Sequence, residues 1–215
     1  QDIHFLVASV LEEDVALLKA HGFYLHRILA ANSEKADAFQ SQRAIEDINA
    51  CRLLVVDNYN LGYEWESAIH DTGLPILVLD DLVNRRHNCD YLINACLDGD
   101  APNPYTNLIP ERTRTWFDLE HLLLRAEFVP VGQIRRAPDG PKKVAVMLGS
   151  SASPQSIDEA VKGALSATRD PDEIRVFQPQ MTSTNATSTC RHRRVFLHPF
   201  TSNLNEELSQ VDLCV

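Results

Sequence analysis

Pro75-Ile76-Leu77-Val78-Leu79-Asp80-Asp81 is the stretch on which the fold turns. No polar residue alternates through its apolar run, and the run stops abruptly on two carboxylates. A strand with one wet face alternates polar and apolar side chains. An unbroken run reads instead as a parallel strand covered on both faces, its carboxyl end opening on solvent. Leu53-Leu54-Val55-Val56-Asp57 repeats the pattern and is expected to be fully buried in the same way. A helix pattern over residues 63–71 lies between the two, so together they make a strand-helix-strand unit.

Working outward, the alternation continues. Strand patterns fall at 3–7, 23–29 and 91–94, with helix patterns at 12–21, stopped by Gly22, and at 33–50. Composition shifts at residues 129–143, VPVGQIRRAPDGPKK, where three prolines and two glycines mark a linker. Beyond it come a strand at 144–148, the turn 149–153, a helix at 156–168 and a strand at 174–177. A Ser/Thr-rich loop at 180–191, a helix at 205–210 and a strand at 211–215 follow. The expectation is an α/β chain with two Rossmann-like halves, 1–128 and 144–215, the second with too few elements to be complete.

Composition narrows the function classes. The net charge of −10 opposes broad nucleic-acid affinity, which needs a basic face to release counterions from phosphate. No apolar run of about 18 residues is present, so no membrane span is expected. The first residues lack the marks of a signal peptide. The five cysteines, Cys51, Cys89, Cys96, Cys190 and Cys214, are odd in number and form no CxxC pair, which reads as reduced cytoplasmic thiols.

In an open parallel sheet, ligands bind beyond the carboxyl ends of the strands. Three segments fall there: Asp57-Asn58-Tyr59-Asn60, the run DDLVNRRHNCD over residues 80–90, and the turn Gly149-Ser150-Ser151-Ala152-Ser153. In the second, Asp80, Asp81, His87, Cys89 and Asp90 are metal-ligand atom types, but they lack paired spacing and Arg85 and Arg86 compete for the carboxylates. No metal is expected there. Either Asp80 or Asp81 caps a turn and pairs with Arg85 or Arg86, or the loop contacts a substrate. The third segment has helix N-terminal amides and hydroxyls suited to phosphate, with a plain N-cap at Ser153 or Ser156 as the simpler reading. Tyr59 can donate its phenol to a sugar hydroxyl or phosphate, or merely pack.

Three runs together, VVDNYNLGYEWE, ILVLDDLVNRRHNCDYLINACL and YTNLIPERTRTWFDLEHLLLRAEF, resemble the nucleotide-sugar hydrolases of pseudaminic acid biosynthesis. Those enzymes act on UDP-2,4-diacetamido-2,4,6-trideoxy-β-L-altropyranose. They carry D-H-Y-G-L-D-x-x-W-E, I-D-D-L-A-D-R-x-H-x-C-D and Y-A-L-L-R-P-E-F blocks in this order. The resemblance spans the whole chain.

What it implies is a GT-B type fold like that of the peptidoglycan glycosyltransferases, with a UDP-sugar between the halves. Water attacks the anomeric carbon, with no metal or other cofactor. By the same resemblance, Tyr59 is the catalytic candidate, Asp57, Asn58, Asp81, Arg85 and His87 bind substrate, and Gly149, Ser150 and Ser151 bind the nucleotide. Asn58 stands where the family has histidine, and Ser150 where it has a second glycine. The family's G-x-G-H-x-x-R turn with its base histidine, and its C-terminal G-x-G-G-x-T-x-W-E segment, have no counterpart among these residues. The expected protein is therefore a fragment or a degenerate relative of a UDP-sugar hydrolase with little or no turnover, its family acting in surface-glycan precursor synthesis in the cytoplasm. The alternatives are a noncatalytic nucleotide-sugar binding module or a GT-B glycosyltransferase relative. An incomplete second half implies self-association or a partner that covers it.

Overall fold

Parallel strands cannot be joined by tight turns, so each pair needs a crossover, either a helix that covers one face of the sheet or a long loop. The computed structural model of this chain follows that rule; it describes residues 2–48, 50–128, 141–149, 152–167, 172–178, 191–199, 201 and 203–215. Two compact units divide it, Gln1–Leu123 and Leu124–Val215. The inter-half linker expected at 129–143 lies mostly outside the described residues, as does the Ser/Thr-rich loop up to residue 190.

The first unit runs β1 (His4–Val7), α1 (Glu12–Ala20), β2 (Tyr24–Arg27), α2 (Glu34–Glu46), β3 (Leu54–Val56), α3 (Tyr63–His70), β4 (Ile76–Leu79), β5 (Tyr91–Asn94) and β6 (Arg114–Phe117). All its strand pairs are parallel. β3-β4-β5-β6 form one sheet in sequence order, and β1-β2 form a separate pair. Ser33 caps α2, its side chain accepting from the Ala36 amide. Ile76, Val78 and Leu92 are fully buried beneath Trp65 and Ile69 of α3 and Ala38 and Ile45 of α2. Register explains the alternation: Val78 sits opposite Leu92 on the helix-covered face, whereas Leu77 sits opposite Tyr91 on the other, half-buried one.

The run Leu53–Val56 departs from its expected complete burial. Val56 is buried, but Val55 is 51% exposed and Leu53 44%. The reason is position: β3 pairs only with β4, so it is an edge strand. The helix expected over 33–50 also stops early, at Glu46.

The second unit contains β7 (Lys143–Val146), α4 (Pro154–Ala167), β8 (Glu173–Phe177), β9 (Val195–His198), α5 (Leu204–Ser209) and β10 (Leu213–Cys214). They build a parallel sheet in the order β10-β7-β8-β9. Val144, Val146, Ile174 and Val176 pack under Ile157, Val161 and Ala164 of α4. Arg175 is buried on β8 and ties α5 to the sheet, its Nε 2.8 Å from Glu173 Oε1 and its Nη1 2.7 Å from Glu207 Oε2. Among the described residues no helix is long and apolar enough to cross a membrane.

Truncation should separate core from surface in the first unit. Ile76→Ala lowers its stability in chemical denaturation by about 2–5 kcal/mol through lost burial and a cavity. Leu17→Ala, on the exposed side of α1, changes it by less than about 1 kcal/mol.

Candidate functional site

The site is built from the loops that leave β3 and β4 at their carboxyl ends. After β3, the Asn58 side chain accepts from the Asn60 amide at 2.8 Å, closing a short turn that carries Tyr59 into solvent. The next residues reach α3 through Gly62, where an added Cβ would lie 3.2 Å from the Arg86 carbonyl oxygen. The start of α3 is satisfied from a distant element. Glu34 Oε2 accepts from the Gly62 and Trp65 amides at 3.1 and 3.0 Å, and Asp37 accepts from the Trp65 indole at 2.8 Å. Two carboxylates in the first turn of α2 thus cap and orient α3.

After β4 the two aspartates diverge. Asp80 turns inward and is 4% exposed, while Asp81 points out. Asp80 Oδ2 accepts from the Tyr105 hydroxyl at 2.6 Å and the Val83 amide at 3.0 Å, and Oδ1 from Arg85 Nη1 at 2.7 Å. Burial by itself opposes ionisation of Asp80. The Tyr105 hydroxyl, the Val83 amide and the Arg85 guanidinium together outweigh it and hold the carboxyl below its ordinary range. Val83 adopts φ +53°, costly for a β-branched residue, at the place where its amide reaches Asp80. Tyr105 is itself fully buried, and burial followed by the Asp80 hydrogen bond pushes its phenol far up.

Arg85 spans the two loops. Besides Asp80, it donates through Nε to the Leu61 carbonyl at 2.9 Å and through Nη2 to the Asn58 carbonyl at 3.0 Å. His87 does not reach the surface. It is 1% exposed, with Nδ1 2.7 Å from Glu66 Oε1 of α3 and Nε2 3.9 Å from Asp80 Oδ1. Glu66, also fully buried, takes the Asn88 amide on its other oxygen. Donation from Nδ1 to Glu66 leaves Nε2 with no hydrogen-bond partner. Cys89 is buried, and its thiol is pushed up to about 12, first by that burial and then by the Glu66 charge. Asp90 Oδ2 accepts from the Ile76 amide at 2.8 Å, fastening the entry of β4.

Of the candidate residues, the structure therefore brings Tyr59 and Asp81 together at the surface. The Tyr59 hydroxyl donates to Asp81 Oδ2 at 3.2 Å. That hydrogen bond raises the Tyr59 phenol above its ordinary value, with the charges of Asp81 and then Asp57 adding to it. Asn58 joins through its carbonyl, held by Arg85. His87, expected to bind substrate, is buried inside the unit against Glu66. The pairing of an aspartate with Arg85 is present, and Asp80 is the partner. Tyr105, Glu66 and Glu34 carry the support without having been singled out in this role; each lies more than 20 residues from a partner it serves.

In the second unit, Gly149 ends the β7 turn at φ +80°, a backbone that favours glycine. Ser150 and Ser151 lie outside the described residues. Ser153 caps α4, its Oγ accepting from the Ser156 amide at 3.0 Å ahead of Pro154 in the first turn. Among the described residues no group of three or more His, Cys, Asp or Glu is arranged to hold a metal ion. No family model matches the chain, and no curated protein matches it.

The Asp80 cluster sets a pH signature. Its folded-state pKa lies below the unfolded value of about 3.9, so its stabilisation is complete above that value and is lost as pH falls through the folded one. Asp80→Asn should cost about 3 kcal/mol near neutrality, since it leaves Arg85 and Tyr105 without the charge they serve. In denaturation series across pH, the gap between native and variant narrows below about pH 4.

Proposed function

We propose that the first unit binds the sugar of a sugar nucleotide on Tyr59, Asp57, Asn58 and Asp81, and that the reaction is hydrolytic release of UDP. The observation that carries this reading is the exposed Tyr59–Asp81 hydrogen bond, which joins two strand-end loops at the carboxyl edge of a parallel sheet. The resemblance of the DDLVNRRHNCD block to the pseudaminic acid pathway hydrolases supplies the substrate class, a diacetamido-trideoxy sugar on UDP. Exposed carboxylates accept from sugar hydroxyls and acetamido N–H groups. The Tyr59 phenol, its one proton donated to Asp81 and its pKa raised, stays protonated at neutral pH and offers the sugar an acceptor oxygen, not a base. In the reaction, water adds to the anomeric carbon, the C–O bond to the β-phosphate breaks, and UDP and the free sugar leave. The diphosphate is assigned to the turn at Gly149, Ser150 and Ser151 in a GT-B arrangement, and the pathway to the cytoplasm.

One observation favours a second reading, a binding module without turnover. The histidine of the block, His87, is sealed inside and engaged by Glu66, so it cannot take a proton from water at the surface. A coupled UDP-release assay and calorimetry with the UDP-diacetamido sugar separate the two. The hydrolase reading predicts UDP release that falls about tenfold or more in Tyr59→Phe and Asp81→Asn, the loss expected from one or two hydrogen bonds. Binding weakened by the same variants, with no release, selects the module. No binding at millimolar ligand overturns both.

A further inference from the structure

Gln178 follows β8 at its carboxyl end and is 6% exposed. Its Nε2 donates to the Ala152 carbonyl at 3.3 Å, in the turn between β7 and α4. Its Oε1 is buried and has no hydrogen-bond partner among the described residues. A buried acceptor left unmet opposes folding, and an apolar side chain of the same length would avoid that cost.

The unmet oxygen belongs to a defined place. Gln178 lines a crevice of about 150 Å³ together with Gly149 and Ala152, over a floor of Val146, Ile157 and Phe177. Gly149 holds φ +80°, and nothing lies within 4 Å of where a Cβ would stand, so the turn is open on that side. The first turn of α4 adjoins the crevice. Pro154 has no amide there, and Ser153 takes the Ser156 amide on Oγ at 3.0 Å and the Ile157 amide on its carbonyl. What remains is the Gln155 amide and one outward proton of the Ser153–Ser156 hydroxyl pair, whose oxygens are 2.8 Å apart. Donors at the positive end of a helix suit an anion. Gln178 Oε1 is opposite in kind, an acceptor that calls for an N–H or O–H.

We propose that Gln178 is a ligand-binding residue of the second unit, its Oε1 accepting an N–H or O–H from the organic part of a phosphorylated compound whose phosphate lies on the first turn of α4. The 3.3 Å contact with Ala152 is at the long end of a hydrogen bond, and the terminal torsion of glutamine is broad. The carboxamide therefore turns toward the crevice mouth at little cost. A bound ligand then meets an acceptor that the free protein leaves unmet. A site of this kind favours a compound carrying both groups over one that lacks the donor. The inference rests on the placement of a nucleotide phosphate at the Gly149 turn, and adds the residue that discriminates what the phosphate is attached to.

Calorimetry on the 215-residue chain with UDP, glucose 1-phosphate and inorganic pyrophosphate tests it, in the native protein and in Gln178→Met, which keeps the length and removes the oxygen. The expected result is an affinity for UDP about tenfold lower in the variant, as for one lost hydrogen bond, with pyrophosphate changed by less than about twofold. A matching loss with glucose 1-phosphate assigns the donor to a hydroxyl that any sugar phosphate offers, and a loss confined to UDP assigns it to the nucleoside. Gln178→Asn, which withdraws the carboxamide by one methylene, reads the same split if Gln178→Met does not fold. Equal weakening of all three probes makes Gln178 a strut for the turn and overturns the inference. UDP binding that the variant leaves intact overturns the inference alone, whereas a native protein that binds none of the three overturns it together with the nucleotide assignment of the turn.

Discussion

A carboxylate taken out of water must be met by donors, or it destabilises the fold around it or takes up a proton. Asp80 is that group in this protein, and the local architecture of the first unit answers to it. Arg85 meets one oxygen, while Tyr105 and the Val83 amide meet the other. Arg85, once fixed by Asp80, has its remaining donors aimed at the Leu61 and Asn58 carbonyls, and so the loop after β3 is held against the loop after β4. Tyr105 also accepts from the Asn94 side chain at 3.0 Å, which brings the end of β5 into the cluster. The exposed Tyr59–Asp81 pair is the outer consequence of this inner arrangement.

A second buried carboxylate, Glu66, repeats the logic one helix away. Its two oxygens take the His87 ring and the Asn88 amide, so the DDLVNRRHNCD segment is pinned at its start by Asp80 and near its end by Glu66. A segment this rich in charge would otherwise be a solvated loop. Pinned at both ends, it is a rigid bracket that exposes Asp81 and conceals His87. The density of its motif is explained by internal satisfaction of polar groups.

How much of this was legible in the sequence depends on distance along the chain. The uninterrupted run at 75–79 reads correctly as a strand, and the carboxylates after it mark its open end. An aspartate-arginine pair within the loop is foreseeable because the residues lie five apart. Which of Asp80 and Asp81 turns inward is not, because Tyr105 decides it from 25 residues away. Glu66 looks like an ordinary helix carboxylate until the fold brings it to His87. β6, Arg114–Phe117, escapes periodicity because it mixes a charge and a threonine with aromatics. The run at 53–56 misleads for another reason: its apolar pattern reports two faces suited to burial, whereas its edge position leaves one of them wet.

The central claim is that the buried Asp80–Arg85 bracket holds the surface pair in place. The phenol titration of Tyr59, followed by NMR in the native chain and in Arg85→Met, tests it most directly. In the native chain the midpoint lies above the ordinary tyrosine value of about 10, because Asp81 accepts a hydrogen bond from the protonated phenol. In Arg85→Met the β3 loop loses its anchor, and the midpoint read in the folded, less stable variant falls back toward that ordinary value. A Tyr59 midpoint that is unchanged in the folded variant would show that the outer pair does not depend on the inner bracket, and would contradict the account.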